Sequence, residues 1–294
     1  MRTPWGDCAV SDAHVHVFSR RFFDALGAQC GAPAVEVAGK LAWELPPSDP
    51  VELARIWVGE LDRHGVERAA LIASIPGDEA STMAAAAHPD RFYAYAMVNP
   101  LVEHVQVTRG LHAICLFPAM HLFSMHNPRV ASLLEQAAAH RCAVFVHCGV
   151  LSVGVRKKLG LPSPFDMRHS NPLDLHAVAL RHPGVRFVLP HFGAGYFREA
   201  LMLADLCPNV YLDTSSTNSW MRYEGLDLPT VFRRALSVTG PSRLLFGSDS
   251  SFFPRGWNSG IFDVQTRALL ELGIGSEDSR QILGGNLQRI LTEF

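Results

Sequence analysis

Short apolar runs rich in β-branched residues alternate with longer segments of helical periodicity along most of the chain. The runs are Ala9–Val17, Ala69–Ser74, Phe92–Val98, Ala113–Phe117, Ala143–His147, Arg186–His191, Asn209–Thr214 and Arg243–Ser248. Each is nearly continuously apolar rather than alternating, as expected of parallel strands covered on both faces. Between them, Val51–His64 places Leu53, Ile56, Trp57 and Leu61 on one helical stripe. Pro128–His140 and Pro172–His182 each open on Asn-Pro, an N-cap followed by a residue pre-set for the first helical position. Phe197–Leu206, Leu228–Ser237, Asp263–Leu272 and Ser279–Leu291 continue the series, while the helices after the second and third strands are short. Strand and helix alternating eight times predict an α/β fold, a distorted (β/α)₈ TIM barrel made as a single domain over residues 1–294. Phe18–Pro50, rich in Gly, Ala and Pro, reads as an insertion after the first strand, at the mouth of that barrel.

Composition narrows the function. The chain has 294 residues, 48% hydrophobic, with a net charge of −2. It has no basic stripe to neutralise phosphates, so no nucleic-acid partner is expected. No apolar run approaches the roughly 20 residues of a membrane span. Met1–Asp7 contains no apolar stretch of the signal-peptide kind, and the six cysteines form no C-x-x-C pair. A cytoplasmic protein with reduced thiols is the expectation. The 14 histidines are the departure from ordinary composition, and histidine is the commonest metal ligand. His64, His88, His140 and His182 fall at predicted helix ends and are set aside.

Active sites of this fold gather at the C-terminal ends of the strands. The first run ends in His14 and His16, whose period-two spacing puts both imidazoles on one strand face. The fifth run ends in His147, the sixth in His191 and the eighth in Asp249. Four imidazoles and a carboxylate thus converge on one rim, a donor set suited to Zn²⁺, with Fe²⁺ or Mn²⁺ as substitutes. Taken singly the pieces are weak: roughly 0.7 H-x-H pairs arise by chance in a chain this rich in histidine. A lone His after a buried strand is as often structural, and Asp249 alone reads equally well as a cap. The weight lies in their joint placement in the strand order.

Asp12-Ala13-His14-Val15-His16, the histidines after the fifth and sixth strands, and Leu245-Phe246-Gly247-Ser248-Asp249 resemble the amidohydrolase superfamily. Ile282-Leu283-Gly284-Gly285-Asn286, Pro208–Thr214 and Asn171–Leu175 are similar to one branch. That branch includes aminocarboxymuconate-semialdehyde decarboxylase, aromatic-acid decarboxylases and pyrone-dicarboxylate lactonase. The resemblance implies that His14, His16, His147 and Asp249 bind one divalent metal and that Asp249 also takes a proton from water. It places His191 beside the metal, as a ligand or an acid/base. Many relatives carry a bridging Lys on the fourth strand, but Ala113–Phe117 has none, so a single metal is expected. Cys115 there reads as a small buried hydrophobe.

The expected activity is hydrolysis of a small-molecule ester, lactone or amide through a metal-activated water. The alternatives are non-oxidative decarboxylation of an unsaturated or aromatic acid, and a catalytically silent barrel with a binding role. Arg168 and Arg255, in loops after the fifth and eighth strands, are candidates for a substrate carboxylate, each as readily a solvated loop arginine. Trp220 and Tyr223 are candidates for a pocket wall, and equally for lid packing or a subunit contact in a homo-oligomer. His121, His126 and His169 are weaker candidates for substrate contact. Asp12 is expected to support the metal ligands by a hydrogen bond rather than to ligate.

Overall fold

The computed structural model describes residues 1–102, 106–150, 154–163, 165–215 and 219–293. Eight parallel strands form its central sheet. They are β1 (Ser11–Val17), β2 (Arg68–Ala73), β3 (Phe92–Val98), β4 (Ala113–Leu116), β5 (Ala143–Val146), β6 (Phe187–Leu189), β7 (Val210–Asp213) and β8 (Leu244–Leu245). They lie in the order of the sequence, each paired with its predecessor. The sheet closes through backbone bonds from Ala13 N–H to Phe246 O (2.8 Å) and His16 N–H to Ser250 O (2.7 Å), with Val15 bridging Ser250 in parallel. The predicted barrel is therefore present. A small antiparallel hairpin, Arg2–Thr3 with Gly6–Asp7, precedes it.

Side chains alternate between two cores, as the pleat requires. On β3, Tyr93, Tyr95 and Met97 point into the barrel with Ala13, Cys115, Phe145 and Val188. Phe92, Ala94 and Val98 point outward to the layer that covers the helices' apolar stripes. Cys115 is fully buried among these interior apolar groups, as the sequence predicts. The C-terminal helix Asn286–Thr292 adds Leu287, Ile290 and Leu291 to the interior cluster. Gly284, just before it, runs so close to β1 that a Cβ there would lie 2.9 Å from Ala9 O.

Three features differ from the sequence reading. The insertion after β1 is not an irregular loop: it folds into α1 (Arg20–Cys30) and α2 (Ala34–Leu41), before α3 (Pro50–His64). Both short helices end on residues in the left-handed region, Gly31 and Ala42, and they share an apolar cluster of Phe22, Phe23, Leu26, Val37 and Leu41. Gly and Ala there mark caps and close packing rather than disorder. The sixth and eighth strands are shorter than their apolar runs. Pro190 has no N–H for a ladder and starts a 3₁₀ turn over Pro190–Gly193, and β8 keeps only Leu244 and Leu245. The predicted helix from Pro172 begins as a 3₁₀ turn and becomes α-helical at His176.

Candidate metal centre

β1 carries His14 and His16 at its mouth end. Between Asp12/Ala69 and Val15/Leu71 it advances three residues while β2 advances two, so one extra residue bulges out beside His14. A similar mismatch occurs at the barrel's closing seam. From Ala13 to His16 is three steps, and from the bonded Phe246 to Ser250 is four. The surplus on that side accommodates Asp249, held at φ +57°, with its N–H donating to His14 O at 3.0 Å. His191 also sits in the left-handed region, at φ +58°. Each non-glycine residue in that region costs about 1–3 kcal/mol, and such backbone positions concentrate where side chains are aimed at a task.

His14, His16 and His147 present ligand atoms that all lie within 4.8 Å of one another. His14 Nε2 and His16 Nε2 are 3.3 Å apart. Asp249 Oδ1 lies 3.5 Å from His16 Nε2 and 3.8 Å from His14 Nε2. The His191 ring centroid is 4.9 Å from that of His14 and 5.8 Å from that of His147. The structure thus brings together all five residues read from the sequence. His14 and His147 are buried, whereas His16 and Asp249 keep 18% and 19% of their side chains exposed, so solvent reaches the cluster along that edge.

The partners of each ring set its free nitrogen. His14 Nδ1 donates to Asp213 Oδ2 at 2.6 Å, with both groups buried, which leaves Nε2 as the outward lone pair. His191 Nδ1 donates to the backbone carbonyl of Ser215 at 2.8 Å, freeing its Nε2 in the same way. The Ser215 hydroxyl lies about equally far from both rings, at 3.0 and 3.1 Å. His16 Nδ1 is 3.3 Å from Ser74 Oγ. His147 stacks on Phe117 with centroids 3.9 Å apart, and neither of its nitrogens has a hydrogen-bond partner among the described residues. A buried imidazole unpaired at both ends is costly. Beside two further imidazoles and a carboxylate, it fits a divalent cation.

Electrostatics agree with that donor set. Burial, and then the neighbouring imidazoles, hold His147 well below the usual histidine range. The same causes bring His16 down to about 3, and burial followed by His14 lowers His191. Burial also opposes a charge on His14, but the Asp213 carboxylate outweighs it and raises that ring. Burial alone would raise Asp249, yet His191, His14, His16 and Arg255 together hold its carboxyl below the ordinary value. His16, His147 and His191 held neutral and Asp249 held ionised are in the forms that ligate a cation, and His14 would give up its extra proton on binding one.

Asp12 does what the sequence suggests, accepting from the His14 N–H at 2.9 Å. His64, His88, His140 and His182 fall at helix ends as expected. Arg255 donates through Nη2 to Asp249 O (3.0 Å) and Ser251 Oγ (2.9 Å). Arg168 instead pairs with Asp166 two residues away and stands 87% exposed. Trp220 is buried against Phe197, whereas Tyr223 is exposed. His126 lies 3.6 Å from Asp174. The sequence reading passed over Asp213 and Ser215 as site residues. Asp213 ends β7 with a carboxylate, the same strand-end signal that identified the histidines, but it was read only as part of a family segment.

The fold is thus an eight-stranded parallel barrel with a histidine–carboxylate cluster at its mouth, in which His14, His16 and His147 could hold a metal ion. The amidohydrolase family pattern matches residues 12–291, and the chain belongs to that family. Among curated proteins, an 85-residue stretch is 36% identical to protein fluG of Emericella nidulans, covering 29% of this chain and 10% of that protein. Several solved structures share the fold. 5-Carboxyvanillate decarboxylase LigW from Sphingomonas paucimobilis has a TM-score of 0.62 at 17% identity, over 97% of this chain and 99% of that one. An amidohydrolase from Burkholderia multivorans with bound zinc has a TM-score of 0.62 at 16% identity, over 96% and 99%. A probable 2-pyrone-4,6-dicarboxylic acid hydrolase from Acinetobacter baumannii has a TM-score of 0.61 at 15% identity, over 96% and 98%. No described helix is long and apolar enough to cross a membrane.

Proposed function

We infer that the protein is a mononuclear metal-dependent hydrolase of a small-molecule ester, lactone or amide, with His14, His16, His147 and Asp249 holding one zinc ion. A bound cation of this kind polarises a carbonyl and acidifies water. The observation that carries the reading is that both proton-handling groups at the rim are held as bases. Asp249 is kept ionised by the imidazoles and Arg255 around it. His191 commits its Nδ1 proton to Ser215 O, so its Nε2 accepts. Attack of water on a carbonyl needs a base first, and Asp249, on the exposed edge beside His16, receives that proton. Decarboxylation of an unsaturated acid instead begins with proton delivery to carbon, which calls for a group held in its acid form. Arg255, whose guanidinium lies 4.5 Å from the Phe252 ring centroid, keeps Nε and Nη1 without a hydrogen-bond partner among the described residues, and we assign it an anionic substituent of the substrate. The six cysteines are all unpaired, which suits a reducing cytoplasmic compartment.

Two measurements test the reading. Elemental analysis of protein purified without chelator should give about one zinc per chain, and a metal-free protein whose melting is indifferent to added zinc would end it. A panel of lactones, amides and unsaturated acids should then show hydrolysis that is lost in Asp249→Asn. Release of CO₂ from an acid, with no lactone or amide cleaved, would replace hydrolysis with the decarboxylase reading that the fold of the LigW structure shares.

A further inference from the structure

The backbone ladder leaves Asp249 poorly specified. β8 pairs with β7 over Leu244 and Leu245 only, and the seam to β1 is a few isolated bonds around a bulge. A carboxylate set on such a bulge needs its flanks fixed by something else. That something is a buried side-chain network centred on Asp12, which is fully buried and accepts four hydrogen bonds. The Oδ1 atom takes the backbone N–H of His14 (2.9 Å) and of Ser248 (3.0 Å). The Oδ2 atom takes the Ser248 hydroxyl and the indole N–H of Trp257 (2.7 Å). Ser248 Oγ lies 2.6 Å from Ser250 Oγ, which in turn accepts the N–H of Asn258 at 2.8 Å. Both neighbours of Asp249 are therefore tied into one network with the strand that carries His14.

Trp257 is itself braced at both ends. Its backbone N–H donates to Glu60 Oε1 on α3 at 2.9 Å, and Glu60 is buried and paired with Arg63 at 2.8 Å. The indole packs against Phe262, with centroids 5.8 Å apart, and against His64 at 5.1 Å. The preceding Gly256 has φ +65°, and a Cβ there would come within 2.1 Å of Glu60 Oε1. The chain thus approaches Glu60 so closely that a side chain at 256 would displace the Glu60 carboxylate, and that contact helps fix where the indole N–H points.

We propose that Trp257 and Asp12 are positioning residues for Asp249. The indole N–H holds the Asp12 carboxylate, and that carboxylate fixes Ser248 and His14, so the carboxylate of Asp249 is presented to the metal together with the β1 histidines. The proposal rests on the metal-centre reading above. It reaches beyond that reading by tying the ligand geometry to helix α3, away from the mouth.

Cobalt(II) titration of the chelated full-length chain, followed by visible d–d absorption, tests this without a substrate. Trp257→Phe removes one hydrogen-bond donor and keeps a ring in place, so it should fold. Its cobalt spectrum should move from that of the wild type toward that of Asp249→Asn, and its cobalt affinity should fall about 10–100-fold, as for other loosened ligand supports. Melting of the metal-free variant should fall by only a few degrees, as expected for one lost buried hydrogen bond. Asp12→Asn should shift the spectrum in the same direction where it folds. A Trp257→Phe spectrum superimposable on the wild type overturns the proposal, and lower metal-free stability beside that unchanged spectrum would assign Trp257 to packing alone. If the wild type binds no cobalt, the metal centre itself is wrong and the proposal falls with it, a failure recognisable before any variant is measured.

Discussion

Replacing His147 with leucine should stabilise the metal-free protein while abolishing its response to metal. The ring is buried, stacked on Phe117, and has no hydrogen-bond partner on either nitrogen among the described residues. Leaving a buried donor or acceptor unmade costs about 1–3 kcal/mol per group. Leucine has nearly the same volume and removes that cost, while forfeiting about 0.5–1.5 kcal/mol of ring–ring contact. With one donor and one acceptor both unmade, the balance is a gain of about 0.5–5.5 kcal/mol in the metal-free state. For a chain of this size, 1 kcal/mol moves the melting temperature by about 1.5–2 °C. Zinc at about 100 times its dissociation constant stabilises a binding-competent protein by about 2.7 kcal/mol. Differential scanning calorimetry at one scan rate, with chelator and with zinc, should therefore show the variant's lead over the wild type shrinking by about 2.7 kcal/mol when zinc is added. The variant melts higher than wild type with chelator, and the wild type alone rises with zinc. A metal-free variant that is less stable by 1 kcal/mol or more (about 1.5–2 °C) would show that the imidazole is satisfied by packing. An undiminished zinc shift in the variant would remove His147 from the ligand set.

Asp213→Asn removes the charge beside His14 Nδ1 and, with the amide oxygen taken by the Ser215 N–H, turns an NH₂ toward that ring. It should weaken zinc about 10–100-fold in chelator competition, and unchanged affinity would show that Ser215 suffices to set the tautomer. Gly247→Ala would place a Cβ 2.5 Å from Asp213 Oδ1 and 2.9 Å from His14 Cβ. It should cost about 1–3 kcal/mol of stability by overpacking, with zinc affinity falling in the same variant. Stability of the metal-free protein should fall on acidification. The folded pKa values of His16 (about 3), His147 and His191 lie below the unfolded histidine value, so their contribution is intact above about pH 6.5 and drains as pH drops below it. Asp12, raised to about 6 by burial, works in the opposite sense below that value, and His14, raised above 6.5, adds no slope below pH 6.5. Three imidazoles that take protons only on unfolding outweigh one carboxyl that takes its proton early, so the net effect between pH 6 and 5 is a loss of stability. A flat calorimetric profile over that window would mean that these imidazoles are not held neutral.

The strand order was legible because a barrel buries both faces of every strand, and near-continuous apolar runs such as Phe92–Val98 follow from that alone. The placement of His14, His16, His147, His191 and Asp249 on one rim was equally legible, because strands of a parallel barrel all end at the same face. What lies between β1 and α3 was not. Gly and Ala in Phe18–Pro50 supply caps and close contacts for two helices, and composition does not distinguish that use from a loop.

The sequence by itself determined the donor types and which end of the barrel they share, since both depend on residue identity and on strand direction. Only the tertiary structure decided how those donors are aimed. Asp213 meets His14 across 199 residues of chain, Trp257 meets Asp12 across 245, and the surplus residue at the β1–β8 seam exists only once the sheet closes. Hydrogen bonds between distant segments have no local pattern to read. They set the tautomers of His14 and His191, and with them which nitrogens are left free at the barrel mouth.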